Sequence, residues 1–471
     1  MNNLAIVVVG ASGDLATKKI FPALFALYCQ DYLPDDFHIV GFARSELNDA
    51  EFRTRIMEHL TCRYVPGESC EQRMDEFLAR CRYVQGAYDS QDSFLDLYQV
   101  MRDVEDGKPT NRLYYLAIPP SIFVDVARAI GDAGLVACGP DEPWSRVVIE
   151  KPFGRDRATS DELTRSISQV FTEHQTYRID HYLGKEVIQN LLVLRFANIV
   201  FQPLWNREFI ESVRIVWKED IGLEGRGGYF DQYGIIRDVM QNHLLQILAL
   251  VAMEPPAQLD PQHIAAEKSK LLRCIPTLSL DDLFLGQFVA AEYKGRRVPG
   301  YRDDPGVPDD SITPTYAAAK LRIENPRWDG VPFSIIAGKG LDARMTEIRI
   351  RFRQVPGNMF CDLGGCPDSD ELVIRVQPDE AIHLSLTNKV PGMGLKLLTG
   401  VLDLQYKEVF DELIPDAYER LLLDVVEGDR SLFIQKAELE AAWDIFTPVL
   451  HEIDRDHVVP ESYAFGSEEP G

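Results

Sequence analysis

The sequence contains no CxxC pair, no Cys/His set at zinc-like spacing, no internal repeat and no low-complexity tract. Cys361 and Cys366 therefore stand without the second ligand pair that a structural zinc needs, and no metal is expected. A repeat array is excluded in the same way. Eight cysteines in 471 residues are too sparse for the disulfide framework of a small secreted fold. Basic residues are in deficit, 49 Lys and Arg against 74 Asp and Glu, and the formal charge of -25 repels phosphate backbones and anionic headgroups. Nucleic acid and membrane surfaces are thus excluded as partners, and an anionic substrate requires a local cluster of Lys, Arg and His. Long hydrophobic runs are missing too: Leu244 to Met253 is too short to span a bilayer. The opening MNNLAIVVVGASG runs straight into a strand and a glycine turn, without the basic region, apolar core and cleavage site of a secretory signal. A soluble cytoplasmic protein is expected.

At 471 residues the chain exceeds what one core usually supports, and two domains are expected. Residues 4–10, 38–43, 113–119 and 146–152 are short apolar runs, and 18–30, 49–60, 92–104, 121–133 and 158–171 carry helical spacing between them. Apolar strands alternating with helices predict a parallel sheet covered on both faces, a Rossmann-like doubly wound coenzyme domain over residues 1–178. After residue 178 long helical segments give way to strand-like runs at 211–219, 315–324, 346–355, 371–378 and 382–388, closed by helices near 416–427 and 436–453. Alternation of apolar and polar positions in 346–355 predicts a sheet with one solvated face. Residues 179–471 are therefore expected to form a larger α+β domain with a mainly antiparallel sheet. Residues 295–314, rich in Gly, Pro and Asp, are expected to be loop.

Gly10, Ala11, Ser12, Gly13, Asp14 and Leu15 follow the first strand and open a helix, where backbone amides can cradle a pyrophosphate. The same pattern also makes an ordinary strand-to-helix turn. The second strand ends in Arg44, where an NAD enzyme would place an acidic residue on the ribose 2′-hydroxyl. A guanidinium there suits a 2′-phosphate and favours NADP over NAD, or else it is a solvated strand end. Lys151, at the carboxyl end of a strand stopped by Pro152, should face the ligand crevice, unless it is an exposed strand-end lysine. In YRIDHYLGKE (177–186), a helix starting near His181 would set His181 and Lys185 one turn apart, two cationic donors suited to a phosphate-sized anion. A surface pair has the same spacing. His243 lies in a mostly apolar helix expected from Ile235 to Met253, as either a hydrogen-bonded core residue or a catalyst.

The strings GASGDLATKKIFPALFALY, GFARS, YYLAIPP, VIEKPFGRD, YRIDHYLGKE, EGRGGYFDQYGIIRDVMQNHLLQ, RWDGVPF and IPDAYERLLLD occur in order over nearly the whole chain. With them the sequence resembles the glucose-6-phosphate dehydrogenase family. The resemblance implies oxidation of D-glucose 6-phosphate to 6-phospho-D-glucono-1,5-lactone with hydride transfer to NADP, the first step of the oxidative pentose phosphate pathway. It implies His243 as general base and Asp180 as its orienting carboxylate, with His181 and Lys185 holding the 6-phosphate and Tyr182 beside them. Glu219 and Asp238 would accept hydrogen bonds from sugar hydroxyls. Lys151 and Lys339 would contact substrate, Lys151 also facing the cofactor, with Lys19 and Arg344 nearby. A homodimer or homotetramer is implied, with residues 179–471 as the substrate and dimerisation domain. Some members bind a second, structural NADP through basic residues at places that here hold Ile336 and Met345; Arg349 is retained, and that site is expected to be depleted.

Cys62 and Cys70 bracket Pro66-Gly67, a turn that can return the chain so that the sulfurs meet. Their surroundings are similar to the plastid-type branch of the family, in which a disulfide in the coenzyme domain governs activity. The resemblance thus implies a redox pair and, as an alternative compartment, the plastid stroma. Two ordinary thiols in a reducing compartment are the other reading.

Overall fold

The apolar runs of the first third fold as parallel strands because flanking helices cover both faces of the sheet they form. The computed structural model describes residues 3–65, 67–137, 143–363 and 366–470, which divide into two compact units. The first holds the residues up to Gly184 together with Leu259–Ala265 and Pro415–Leu439; the second holds Lys185–Gln258, Ala266–Ile414 and the residues from Glu440 on. Where a single division after residue 178 was expected, the first unit runs on to Gly184 and takes back two later segments. One of them carries the helix Ala417–Glu427, whose Leu421, Leu422 and Val425 are fully buried in the first unit's core.

Among the described residues of the first unit, β1 (Asn3–Val9), β2 (Phe37–Ala43), β3 (Cys81–Gln85), β4 (Thr110–Leu116), β5 (Ser145–Glu150) and β6 (Thr176–Ile179) form one parallel sheet in the order β3-β2-β1-β4-β5-β6. This is the doubly wound order, and ligands of such sheets bind beyond the carboxyl ends of the strands, where the order reverses between β1 and β4. β3 and β6 were not anticipated. Both are short edge strands, CRYVQ and TYRI, in which an arginine interrupts the apolar pattern. After β1 the chain turns at Gly10, whose amide donates to Phe42 O at 2.8 Å and whose φ is +86°. A Cβ there would lie 2.3 Å from Ala117 O, so only glycine fits this approach.

The second unit contains β7 (Ile210–Lys218), β8 (Leu283–Val289), β9 (Ala291–Tyr293), β10 (Arg296–Val298), β11 (Tyr316–Leu321), β12 (Phe333–Gly338), β13 (Met345–Phe352), β14 (Glu371–Gln377), β15 (Ala381–Lys389), β16 (Leu397–Gln405) and β17 (Glu461–Ala464). Among the described residues, all but β9 and β10 join one sheet in the order β16-β15-β14-β13-β7-β12-β11-β8-β17. Pairing is antiparallel except at β7–β12 and β8–β17. β9 and β10 make a separate hairpin, so the stretch expected to be loop from 295 starts with a strand. The solvated face expected along β13 is closed at Glu347, which is fully buried and bonded by Arg349 at 2.8 Å and Arg375 at 2.9 Å. The helix expected from Ile235 to Met253 begins just after the non-helical Gly234 (φ 65°, ψ 171°) and is unbroken to Ala252, but its winding is not uniform: Ile236–Leu244 is wound as a π-helix and Leu245–Ala252 as an α-helix. No helix among the described residues is long and apolar enough to cross a membrane.

The Gly10 contact is testable against its neighbour. Gly13 lacks a positive φ, and a Cβ on it would meet only Gly10 O, at 3.2 Å. Gly10→Ala is expected to lower the unfolding free energy by about 2 kcal/mol or more, and Gly13→Ala by less than half of that. Urea titration of both variants checks this; equal losses would show that the Ala117 carbonyl does not fix the turn.

Candidate active site

β5 and β6 are neighbours with Glu150 opposite Ile179, so Lys151 and Asp180 leave the sheet side by side at its carboxyl edge. Asp180 is buried, and its Oδ1 accepts the amide of Tyr182 at 3.0 Å. Leu183 N donates to Asp180 O at 3.0 Å, and Gly184 N to His181 O at 3.3 Å. These bonds correct the expected helix start. Residues 181–184 form a turn because the Asp180 carboxylate takes the local amide first, and the helix runs over Glu186–Phe196 with Lys185 as its N-cap. His181 and Lys185 therefore do not share a helix face.

His181 is half-buried and stacks on Tyr418, with ring centroids 6.2 Å apart and planes at 6°, while the buried Tyr182 lies tilted at 5.0 Å. Tyr418 belongs to the returning helix Ala417–Glu427. It hydrogen-bonds the Glu150 carboxyl, which also accepts from Tyr115 Oη at 2.5 Å. Burial pushes the Glu150 carboxyl up to about 7, against the pull of both phenols and of Lys151. The N-cap of that helix, Asp416, pairs with Lys19 at 3.1 Å. Its Glu419 accepts from Tyr64 Oη at 2.5 Å and from Arg63 at 3.4 Å. Arg63 and Tyr64 lie in the loop closed by a disulfide between the exposed Cys62 and the buried Cys70. Cys361 and Cys366, weighed above as metal ligands, are likewise joined as a disulfide.

The glycine turn is closed by Gly13 N donating to Gly10 O at 2.9 Å. Ala11 is buried, Leu15 half-buried, and the exposed Asp14 pairs with Lys18 at 3.1 Å. Ser12 Oγ lies 2.9 Å from Ser45 Oγ, and the exposed Arg44 stands over the Tyr88 ring at 5.4 Å. A glycine cradle that a Cβ would fill, a helix start and an arginine at the end of β2 fit a dinucleotide carrying a 2′-phosphate.

In the second unit, Glu219, Asp238 and Lys339 line one cleft of about 110 Å³ together with Tyr229 and Phe230. The parallel pairing of β7 and β12 places Glu219 beside Lys339, and Lys339 Nζ donates to Glu219 Oε2 at 2.5 Å. Burial raises the Tyr229 phenol, with the Asp238 charge adding to the rise. His243 is buried in the π-wound stretch, five residues beyond Asp238. Asn242 Nδ2 donates to the carbonyls of Arg237 and Asp238, supporting backbone whose bonding pattern is shifted by the π-turn. Lys185 Nζ donates to Gln377 Oε1 at 3.0 Å. Arg344 is exposed ahead of β13 and does not line the cleft. Arg349 pairs with Glu347 and Glu371, and Lys218 on the adjacent strand pairs with Asp342 at 3.2 Å.

Sequence reasoning missed Glu150, Tyr418, Glu419 and Tyr229. The first three stand inside VIEKPFGRD and IPDAYERLLLD, but no local rule joins segments so far apart in the chain.

Residues 7–190 match the family described as glucose-6-phosphate dehydrogenase, NAD binding domain, and residues 192–471 the one described as glucose-6-phosphate dehydrogenase, C-terminal domain. Glucose-6-phosphate 1-dehydrogenase 1, chloroplastic, of Arabidopsis thaliana is 53% identical over 474 residues, covering 100% of this chain and 81% of that protein. Glucose-6-phosphate 1-dehydrogenase 6, cytoplasmic, of the same plant is 48% identical over 477 residues, covering 99% and 89%. A solved glucose-6-phosphate dehydrogenase in complex with its substrate glucose-6-phosphate is similar with a TM-score of 0.93 at 42% identity, covering 100% of this chain and 96% of that one.

The buried Glu150 carries a pH signature. Its carboxyl titrates at about 7 in the folded chain against an ordinary 4.5. Between those values the folded chain keeps a proton that the unfolded chain has lost. The group's contribution to stability is therefore full below pH 4.5 and falls by about 3 kcal/mol as pH rises to 7. Glu150→Gln keeps an acceptor for Tyr115 and Tyr418 but cannot titrate. Unfolding measured from about pH 5 to 8 should decline less steeply in the variant, and superimposable profiles would show that Glu150 is already ionised at the low end.

Proposed function

Because this chain belongs to the glucose-6-phosphate dehydrogenase family, we propose that it oxidises D-glucose 6-phosphate to 6-phospho-D-glucono-1,5-lactone with NADP. The observation that carries the reading is 53% identity to an enzyme of that name over the whole chain. NADP, when bound, supplies the hydride acceptor. Neutral His243 accepts the proton of the sugar C1 hydroxyl, and Asp180 is assigned as the carboxylate that fixes its tautomer and stabilises the imidazolium. Burial keeps water from competing for that proton. His181, Lys185 and Tyr182 are assigned to the 6-phosphate, whose binding aligns C1 from a distance. Glu219 and Asp238 are assigned to sugar hydroxyls, Lys339 and Lys151 to substrate, and Lys151 also to the cofactor. The cleft that gathers Glu219, Asp238 and Lys339 supports their grouping. Arg344, which lies outside that cleft, is assigned to substrate by the resemblance to the family.

The Gly10 to Leu15 turn and Arg44 are assigned to NADP. Cys62 and Cys70 are assigned as a redox pair: a dithiol reductant attacks the sulfur of Cys62, the exposed residue of the two, becomes a disulfide itself, and leaves two thiols on the chain. The loop so released is the one that holds Glu419 through Arg63 and Tyr64, next to the tyrosine stacked on His181. A disulfide with this use suits the plastid stroma better than a steadily reducing cytoplasm; a fluorescent fusion of the full-length protein found only in the cytoplasm would exclude that compartment. Self-association to a homodimer or homotetramer is supported by the exposed Leu398, Val401 and Leu402 on edge strand β16. Sedimentation as a monomer at micromolar concentration would exclude it.

His243→Asn should fold, bind glucose 6-phosphate and lose about 10²- to 10⁴-fold in kcat. Near wild-type turnover in a spectrophotometric NADPH assay would remove His243 as the base. For the redox pair, dithiothreitol should raise the KM for glucose 6-phosphate in the oxidised wild type and leave Cys62→Ser unmoved. A KM identical in both states would leave the disulfide structural.

A further inference from the structure

On a chain with 74 acidic residues, two arginines beside the glycine turn make no ion pair among the described residues: Arg44 at the end of β2, and Arg55 on the helix Asp49–Met57. The contrast with Arg53 on the same helix is informative, since its i−4 carboxylate, Asp49, lies 3.8 Å away. The corresponding carboxylate for Arg55 is Glu51, which instead accepts the amide of Asn48 at 2.9 Å and closes a capping box. Arg55 is left to reach across to the turn, where its Nη1 donates to Ser12 O at 3.4 Å. Ser12 Oγ in turn meets Ser45 Oγ at 2.9 Å, and Tyr83 Oη donates to Ser45 O at 2.7 Å, so the two hydroxyls are held on a fixed backbone. Arg44, next to Ser45, and Arg55, next to Ser12, thus flank the hydroxyl pair. The end of β2 opposite the glycine turn is where the 2′ substituent of a dinucleotide's adenosine ribose falls. A phosphate monoester there carries about −1.5 to −2 charge and three acceptor oxygens.

We propose that Arg55 is a second specificity-determining residue for the 2′-phosphate of NADP, acting with Arg44 and the paired Ser12 and Ser45 hydroxyls. One guanidinium neutralises only part of such a dianion, and the second supplies the remaining charge together with further N–H donors. The inference rests on the reading that this turn binds NADP. Arg55→Ala and Arg55→Gln in the full-length chain, checked for unchanged thermal unfolding, would be titrated with NADP, NAD, adenosine 2′,5′-bisphosphate and 5′-AMP by calorimetry. Both variants should weaken NADP and adenosine 2′,5′-bisphosphate by about ten- to a hundredfold and change NAD and 5′-AMP by less than about twofold. Arg55→Lys should recover part of the loss, since it restores charge without the fork. Equal losses for NADP and NAD would overturn the proposal and leave Arg55 as a support of the Ser12 turn, and unchanged NADP affinity would overturn it outright. Arg44→Ala separates the two levels. If it shifts the NADP/NAD ratio while Arg55→Ala does not, only the role of Arg55 fails; if neither shifts the ratio, the placement of the 2′-phosphate fails with it.

Discussion

The first unit is organised around one carboxyl group that is expensive to bury. Taking a carboxylate out of water costs several kcal/mol unless donors replace the lost solvent. Glu150 finds them in two phenols, one from β4 and one from a helix that lies more than two hundred residues later in the chain. The arrangement holds only while that helix is docked, and other contacts secure it at both ends. At its start Asp416 pairs with Lys19, and Glu419 accepts from Tyr64 and Arg63. At its end Arg146, stacked on Trp144 at 3.7 Å, donates to the carbonyls of Val425 and Val426, where a cation meets the negative end of the helix dipole. Lys151, His181 and the disulfide loop therefore all answer to the position of one helix.

An anionic substrate on so acidic a chain requires the near field to defeat the far field. At physiological salt the Debye length is about 8 Å, so most of the −25 is screened before it reaches a ligand in a site. What an approaching phosphate meets is the local balance. In the first unit the cations proposed to set it are Lys151 at the sheet edge and His181, whose ring is stacked on Tyr418. At the glycine turn it is set by two arginines without carboxylate partners. Other cations, Lys218 and Arg349 among them, are tied up in ion pairs.

Local pattern made much of this legible. The long apolar strands, the glycine turn, the residue at the end of β2 and the lysine after β5 follow from periodicity and from the geometry of parallel sheets. Features decided by side chains acting on backbone were not legible. The Asp180 carboxylate turns residues 181–184 and delays the helix to Glu186, and the π-winding of Ile236–Leu244 lies inside what periodicity reads as an ordinary helix. β3 and β6 are hidden by arginines that edge strands tolerate. The returning helix has a clear amphipathic pattern of its own, but nothing in it states which unit it will pack on. The tyrosine clamp on Glu150 has no signature at all, because its two donors and its acceptor come from three distant segments.

The glycine turn and the arginines divide cofactor recognition by chemistry. A pyrophosphate cradle built from backbone amides takes whatever dinucleotide shares that pyrophosphate, and Gly10 is irreplaceable there for steric reasons that have nothing to do with the ribose. Discrimination must come from side chains that reach the 2′ position, and those stand on two separate elements, the end of β2 and the side of the helix Asp49–Met57. Such side chains are exposed and bury no core surface, so they can change without disturbing the fold, whereas the cradle cannot. The same scaffold can therefore serve either nicotinamide cofactor, and in this chain the two guanidinia without carboxylate partners are the side chains proposed to select the phosphorylated one.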